Sequence, residues 1–303
     1  MKFRLTGALL LLGTVVSSAP AQSRDSIRNA PVPCTMCAVW NKPHAPFRIF
    51  GNAYYVGTDG LSAILLTSPQ GHILLDGGLA ESAPLIIANI RALGFLIEDV
   101  RLIVNSHAHY DHAGGIAALQ RASGAAVAAH PWSAEVMRKG KSIAGDPQLG
   151  LDIPYPTVAN VRELDDGEAV RAGSLTVIPH YTGGHTPGGT TWSWKSCDGS
   201  RCIDMVYADS QTPVSADSFR FTRNMTYPNV IADFERSFAK LESLACDVLL
   251  TPHPSASGIF ERLAVRDSAN APRAFERAGA CKAYAADARK SLAQRIARET
   301  QGK

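Results

Sequence analysis

The sequence has little imbalance of charge and no long apolar run beyond its first residues. Thirty Lys and Arg residues stand against 27 Asp and Glu residues in 303, so a polybasic surface for nucleic acid or for a membrane is not predicted. After residue 21, no apolar stretch reaches the roughly 20 residues that span a bilayer. With 46% hydrophobic and 19% charged residues, a disordered or low-complexity chain is not expected either. We therefore expect a globular protein that is soluble once mature, without a nucleic-acid partner and without a membrane association.

The N-terminal residues have the pattern of a secretory signal. Lys2 and Arg4 form a short positive region, residues 5–16 are almost wholly apolar, and Ala19-Pro20-Ala21 fits the small-x-small rule for signal peptidase. A membrane anchor is the alternative, but this apolar stretch is too short to span a bilayer. We expect cleavage after Ala21, export to the periplasm, and one mature domain over residues 22–303.

The cysteines also favour an oxidising compartment, because their number is even. The six are Cys34, Cys37, Cys197, Cys202, Cys246 and Cys281. A turn-like Asp-Gly-Ser stretch separates Cys197 from Cys202, so we predict a disulfide there and a second between Cys246 and Cys281. The remaining C-x-x-C pair lacks the second pair that a zinc ribbon needs, which leaves a local disulfide or a longer bridge open.

The hydrophobic pattern predicts two series of strands, each accompanied by helices. In the first series, strands are expected at residues 47–57, 61–67, 72–76, 100–104 and 126–129, with helices at 82–94 and 112–122. In the second, strands are expected at 170–178, 190–194, 203–208 and 248–251, with helices at 229–243 and 272–299. This order predicts a single α/β domain built as a four-layer sandwich, in which two central β-sheets carry helices on their outer faces.

Four potential metal ligands lie within six residues, directly after the predicted strand at residues 100–104. They are His107, His109, Asp111 and His112, at H-x-H-x-D-H spacing. Side chains two apart in an extended segment share a face, so the first two can bind the same ion. The other two can face a second ion from the start of the next helix. Imidazole together with carboxylate suits zinc.

Two further histidines follow predicted strands and can complete such a site. His185 lies in a glycine-rich loop, and His253 lies directly after the apolar run at residues 248–251. Ligand sites of open α/β folds tend to lie at strand ends, so we predict both as ligands. His180 competes with His185 because it is five residues away; we favour a role for it in supporting a ligand.

Together these segments resemble the motifs of the metallo-β-lactamase superfamily. The resemblance rests on Leu74-Leu75-Asp76-Gly77-Gly78, the H-x-H-x-D-H run, the loop of His185, Tyr207-Ala208-Asp209-Ser210, and His253. The wider pattern is most similar to the third subclass of class B β-lactamases, because His112 directly follows Asp111 and Asp209-Ser210 stands where the first subclass has a cysteine. The resemblance implies the αβ/βα sandwich and two zinc ions. One would lie on His107, His109 and His185, and the other on Asp111, His112 and His253.

The resemblance also implies an activity and its substrate contacts. A zinc-bound hydroxide oriented by Asp111 would hydrolyse the amide bond of penicillins, cephalosporins and carbapenems, without a serine nucleophile. Ser210 and Thr212 offer hydroxyl groups for the substrate carboxylate, and Gln148 resembles a loop glutamine near the substrate in some relatives. Gln211 departs from the leucine common between such hydroxyl residues. A small-molecule β-lactam is thus the expected partner, and a monomer the expected state.

Two other functions remain open from the sequence. A thioesterase or lactonase of the same superfamily would share most ligands, but it would use an additional aspartate bridging the metals, for which Asp209 is the candidate. The other hypothesis is a zinc-binding module that catalyses no reaction. Six ligands that include an aspartate argue against it, because structural zinc sites are usually closed cages of four ligands.

Overall fold

Two β-sheets form the centre of the molecule. The structure, a computed structural model, describes residues 1–2 and 34–301, so nearly all of the predicted signal segment lies outside the described residues. The first sheet has seven strands in the order of the chain. They are β1 (Phe47–Phe50), β2 (Ala53–Tyr55), β3 (Ile64–Leu66), β4 (His72–Leu75), β5 (Val100–Val104), β6 (Ala126–Ala129) and β7 (Val161–Glu163).

The second sheet has five strands in the order β12-β11-β10-β9-β8. They are β8 (Val170–Ala172), β9 (Leu175–Tyr181), β10 (Thr190–Asp198), β11 (Arg201–Tyr207) and β12 (Val248–Leu250). The strands from β8 to β11 are antiparallel, and β12 joins β11 in parallel. In the first sheet, β1 to β4 are antiparallel and β4 to β7 are parallel.

Nine α-helices accompany the two sheets in the described part of the chain. They are α1 (Cys37–Trp40), α2 (Ala83–Ala92), α3 (Tyr110–Ala113), α4 (Ile116–Ser123), α5 (Pro131–Lys139), α6 (Val230–Ser243), α7 (Pro254–Ser257), α8 (Ile259–Ala269) and α9 (Ala280–Gln301). None of the helices among the described residues is both long enough and apolar enough to cross a membrane.

Three apolar layers hold the sheets and helices together. Between the sheets, side chains such as Leu75 and Val104 of the first sheet meet Trp192 and Met205 of the second. A second layer packs α2, α4 and α5 on the outer face of the first sheet. A third packs α6 and α9 on the outer face of the second sheet. The predicted four-layer sandwich is therefore confirmed.

Several predicted elements are interrupted where glycine allows the backbone to turn. The expected strand at residues 47–57 is a hairpin that turns at Gly51, whose φ of +55° lies in the left-handed region. The expected helix at 112–122 is two helices that are separated at Gly114 and Gly115. A Cβ on Gly115 would lie 2.2 Å from the carbonyl oxygen of Gly77, so this close approach requires glycine.

Other differences concern elements without a clear pattern. The strand β7 and the helices α5 and α8 were not predicted, and the expected C-terminal helix at 272–299 begins later, at Ala280.

Three disulfides join the six cysteines in pairs. Cys197–Cys202 and Cys246–Cys281 are both confirmed, and the open question at Cys34 is resolved as a local bridge to Cys37.

Candidate metal centre

The segments that follow strands of both sheets converge on one edge of the sandwich. His107 follows β5 of the first sheet, and His253 follows β12 of the second. His185 lies in the loop between β9 and β10. The two sheets are joined here by hydrogen bonds, since Thr190 N donates to Ser106 O at 2.8 Å and Trp192 Nε1 donates to Asn105 O at 3.0 Å.

The structure brings the six predicted ligands together in two groups of three. The first group is His107, His109 and His185, and the second is Asp111, His112 and His253. Within each group, the potential ligand atoms lie within 4.8 Å of one another. The grouping agrees with the two zinc positions that the sequence resemblance implies.

Buried carboxylates hold two imidazoles of the first group from behind. His107 Nδ1 lies 2.8 Å from Asp209 Oδ1, and both side chains are fully buried. His109 Nε2 lies 3.1 and 3.2 Å from the two oxygens of Asp146. A hydrogen bond from one ring nitrogen to a carboxylate fixes the ring and leaves the other nitrogen free for a metal.

Backbone carbonyls do the same for two more rings. His185 Nδ1 lies 2.8 Å from Thr212 O, and His253 Nδ1 lies 3.1 Å from Gly60 O. In the second group, Asp111 Oδ2 is 3.3 Å from both His112 Nε2 and His253 Nε2. This carboxylate therefore holds together the second set of ligands.

A further carboxylate fixes the start of the H-x-H loop. Asp76 accepts hydrogen bonds from Ser106 N at 2.7 Å, from Ser106 Oγ at 2.6 Å, from Asn105 Nδ2 at 3.0 Å and from Tyr207 OH at 2.7 Å. Burial raises the pKa of Asp76 to about 7, against the lowering effect of these donors. Asp76 thus links β4, β5 and β11 directly beneath the metal ligands.

The donor set fits zinc on several observations of the protein itself. His107 Nε2 is buried and has no hydrogen-bond partner among the described residues. Because buried polar atoms normally have a partner, this nitrogen is the one expected to bind a metal. Burial holds the pKa of His107, His112 and His185 well below the ordinary value, so these rings are neutral near pH 7, as metal binding requires. Although burial opposes it, His112 and His253 hold the pKa of Asp111 well below its usual range.

Two of the three predicted substrate residues contact His185 of the first group. Gln148 Nε2 is 3.3 Å from His185 Nε2. The Thr212 hydroxyl lies 3.2 Å from His185 Nδ1, on the far side of the ring from Gln148, so it is placed to support this histidine. Ser210 is 7% exposed and directly follows the buried Asp209.

Two residues that the sequence left open have clear positions. His180 lies outside both groups and contacts Ser193 Oγ at 2.8 Å through Nε2; the supporting role expected of it belongs instead to Asp209 and Asp146. Gln211 points into the protein, where its amide donates to Thr182 O at 3.2 Å. Because Gln211 is 1% exposed, it fixes the backbone of this segment from inside.

Comparison with known proteins identifies the family of this fold and site. A family model of the metallo-beta-lactamase superfamily matches residues 56–258, and the chain belongs to this superfamily. Among solved structures, it is similar to the Rm3 metallo-beta-lactamase, with 52% identity, a TM-score of 0.87, and coverage of 88% of this chain and 99% of that chain.

Two further metallo-beta-lactamase structures are similar to the chain, and one of them belongs to the predicted third subclass. MEM-A1, a subclass B3 metallo-beta-lactamase from a soil metagenome library, is 47% identical with a TM-score of 0.85, over 87% of this chain and 100% of that chain. MIM-1 from Novosphingobium pentaromativorans is 43% identical with a TM-score of 0.79, over 89% and 98% of the two chains. The predicted resemblance is confirmed.

One curated relative carries the name of a different hydrolase. A hydroxyacylglutathione hydrolase from Anaeromyxobacter dehalogenans (strain 2CP-C) is 32% identical over 95 residues. This match spans 31% of the present chain and 29% of the relative's length.

Proposed function

We propose that this protein is a zinc-dependent β-lactamase that hydrolyses the amide bond of β-lactam antibiotics. The observation that carries the proposal is the pair of ligand groups, in which Asp111, His112 and His253 form a group of their own beside His107, His109 and His185. The similarity to Rm3 and MEM-A1 over nearly their whole length supports the same function.

Each group of ligands would hold one zinc ion. Zinc, when bound, supplies Lewis acidity and lowers the pKa of a bound water to near 7. Asp111 is ionised and accepts hydrogen bonds only, so its carboxylate orients the attacking water. Imidazoles that bind a metal are neutral, so the site's five histidines and single carboxylate would leave most of the charge of two divalent ions uncompensated, which favours an anionic substrate.

Protein side chains near the first group would bind and orient that substrate. Penicillins, cephalosporins and carbapenems carry a carboxylate beside the lactam ring, and the Ser210 hydroxyl donates a hydrogen bond to it. The amide of Gln148, beside His185, contacts the substrate from the opposite loop. Thr212 holds His185 through its carbonyl and hydroxyl oxygens, and its hydroxyl is the second candidate donor to the carboxylate.

Export through a cleaved signal of residues 1–21 and a monomeric mature domain over residues 22–303 complete the proposal. The three disulfides of the structure agree with an oxidising compartment such as the periplasm.

The purified mature protein should hydrolyse nitrocefin and a carbapenem, lose this activity with EDTA, and regain it when zinc is added. Metal analysis of the active protein should give two zinc ions per chain. Full activity after complete removal of zinc would overturn the proposal.

A thioesterase that acts on a glutathione thioester is the second candidate, because of the partial similarity to hydroxyacylglutathione hydrolase. That function needs Asp209 as a bridge between two metals. In the described residues, Asp209 lies outside both ligand groups and accepts a hydrogen bond from His107, which favours the β-lactamase. Parallel assays with nitrocefin and a glutathione thioester separate the two functions.

A further inference from the structure

The loop between α5 and β7 is bonded to both the metal ligands and the substrate-facing segments. Asp146 is 2% exposed, and it lies in this loop without belonging to either ligand group. Its two carboxylate oxygens are 3.1 and 3.2 Å from His109 Nε2. A buried carboxylate that faces one imidazole in this way fixes the ring plane and directs the opposite nitrogen towards the other ligands.

The same carboxylate also fixes the backbone of the loop. Gln148 N donates a hydrogen bond to Asp146 Oδ1 at 2.8 Å. Between these two residues, Pro147 O accepts a hydrogen bond from Ala216 N at 2.9 Å. Of these three consecutive residues, Asp146 therefore contacts the predicted metal ligand His109 and Pro147 is bonded to a second loop. Gln148 carries the side chain that would face the substrate.

That second loop returns to the first ligand group. It contains Thr212, whose carbonyl oxygen accepts the hydrogen bond from His185 Nδ1 at 2.8 Å. The contacts thus connect His109 to His185 through the two loops, which are joined to each other at Pro147 and Ala216. Displacing Asp146 would disturb both the ligand geometry and the position of Gln148.

We propose that Asp146 is a positioning residue that couples metal binding by His107, His109 and His185 to the placement of the substrate-contacting loops. This proposal rests on the proposed function only in naming a β-lactam as the molecule that the loops contact. The coupling itself is between the metal site and the loops. Because coupling between two binding events is reciprocal, metal binding orders the loops, and ordered loops strengthen metal binding.

The alternative is that Asp146 merely stabilises its own loop. Asp152 provides a matched control, because it lies in the same loop and accepts hydrogen bonds from Ser142 N and Gly150 N, both at 3.0 Å. These contacts involve no histidine of the ligand groups. Asp152→Ala therefore loosens the loop without touching the metal ligands.

The test compares Asp146→Ala, Asp146→Asn and Asp152→Ala in the mature protein. Competition with a chromophoric chelator should show that Asp146→Ala binds one zinc ion about 10- to 100-fold more weakly, the range found when a carboxylate behind a metal-bound histidine is lost. Asp146→Asn keeps an oxygen acceptor without its charge and should lie between the wild type and Asp146→Ala. Asp152→Ala should weaken zinc binding far less than Asp146→Ala does, because it loosens the loop but leaves the contact between Asp146 and His109 in place.

Amide hydrogen exchange provides the second measurement. In the wild type, zinc should slow the exchange of the Ala216 amide, whose acceptor is Pro147 O and not Asp146 itself, and in Asp146→Ala this protection should be lost. Thermal unfolding of each variant without zinc establishes that it folds. Equal zinc affinity in Asp146→Ala and the wild type, or wild-type exchange that does not respond to zinc, would overturn the coupling.

The coupling and the proposed function can fail separately. Zinc-dependent protection of the loops in a protein that hydrolyses no β-lactam would support the coupling and contradict the function. β-Lactam hydrolysis with Asp146→Ala unchanged in both zinc affinity and KM would contradict the coupling alone.

Discussion

Replacing Asp209 tests whether this carboxylate supports a ligand or bridges two metals. Asp209 Oδ1 lies 2.8 Å from His107 Nδ1, and both side chains are fully buried. The space is tight, since a Cβ on Gly189 would lie 2.4 Å from Asp209 Oδ2. Asparagine has the same shape and fits this space, but it carries no charge. Alanine removes the acceptor of His107 altogether.

The contact with His107 sets the expected magnitude. Burial raises the pKa of Asp209 well above its ordinary value, but a cation bound at the opposite nitrogen of His107 would favour the ionised carboxylate. A hydrogen bond to a charged acceptor is roughly twice as strong as one to a neutral acceptor, so Asp209→Asn should weaken zinc binding about tenfold, the lower end of the range for such partners. Asp209→Ala leaves the Nδ1–H group of His107 buried without an acceptor, which costs about 1–3 kcal/mol. Its zinc affinity should fall about 100-fold, or nearly 3 kcal/mol.

The assay measures zinc affinity by chelator competition and turnover at saturating zinc. If Asp209 supports His107 from outside the ligand groups, both variants should still reach two zinc ions per chain when zinc is in excess, and turnover should largely return. If Asp209→Ala binds zinc as tightly as the wild type, the supporting role is wrong. If it loses zinc and turnover even at high zinc, Asp209 is a bridging ligand, and a thioesterase or lactonase becomes the better proposal.

Three further predictions concern the substrate, the disulfides and pH. Ser210→Ala should raise KM for a β-lactam about 10- to 100-fold with little change in kcat, the value of one hydrogen bond to a charged group; an unchanged KM in steady-state kinetics would exclude this contact. The Cys246–Cys281 bridge closes a loop of 35 residues. Substitution of both cysteines by serine should lower the free energy of unfolding by about 4 kcal/mol on the chain-entropy model and the Tm by roughly 10 °C; an unchanged Tm would contradict this prediction. His130 caps α5 by accepting a hydrogen bond from Trp132 N, and burial lowers its pKa from 6.5 to about 4. Between these two pH values, His130 binds a proton in the unfolded chain but not in the folded protein. The contribution of neutral His130 to the free energy of unfolding is therefore complete above about pH 6.5 and is lost as the pH falls through about 4, by about 3 kcal/mol in all. His130→Asn should flatten this part of the stability curve in chemical denaturation at different pH values, and an equally steep curve would argue against it.

The sequence was sufficient for the layers of the fold because those depend on regular patterns. Apolar runs such as Val100–Val104 are buried strands, and the spacing along Val230–Ser243 places Phe234 and Phe238 on one buried face. Interruptions were missed where a single residue turns the chain. The hairpin at Gly51 lies inside a run of β-forming residues, and its left-handed φ together with its packing against Ser196 and the Cys197 carbonyl oxygen shows why glycine is needed there.

The residues behind the ligands were harder to predict than the ligands themselves. His107, His109 and Asp111 are close together in the sequence, so their spacing identifies them. Their supports are distant in the sequence, since Asp209 is 102 residues from His107 and Asp146 is 37 residues from His109. Asp146 also lies in a loop without periodicity, where an aspartate beside proline reads as an ordinary turn residue.

Two of the metal ligands are held by backbone carbonyl oxygens, which no residue type in the sequence indicates. His185 and His253 are held by the carbonyl oxygens of Thr212 and Gly60, which every residue type would offer equally. Their positions depend on the backbone, and therefore on contacts elsewhere, such as the hydrogen bond from Gly60 N to Trp40 O. Substitution at Gly60 can change the orientation of His253 only by moving the chain, whereas substitution at Thr212 also removes the hydroxyl that lies 3.2 Å from His185 Nδ1. By contrast, Asp146 and Asp209 act through side-chain carboxylates, so they are the positions at which a single substitution separates support of a ligand from the fold.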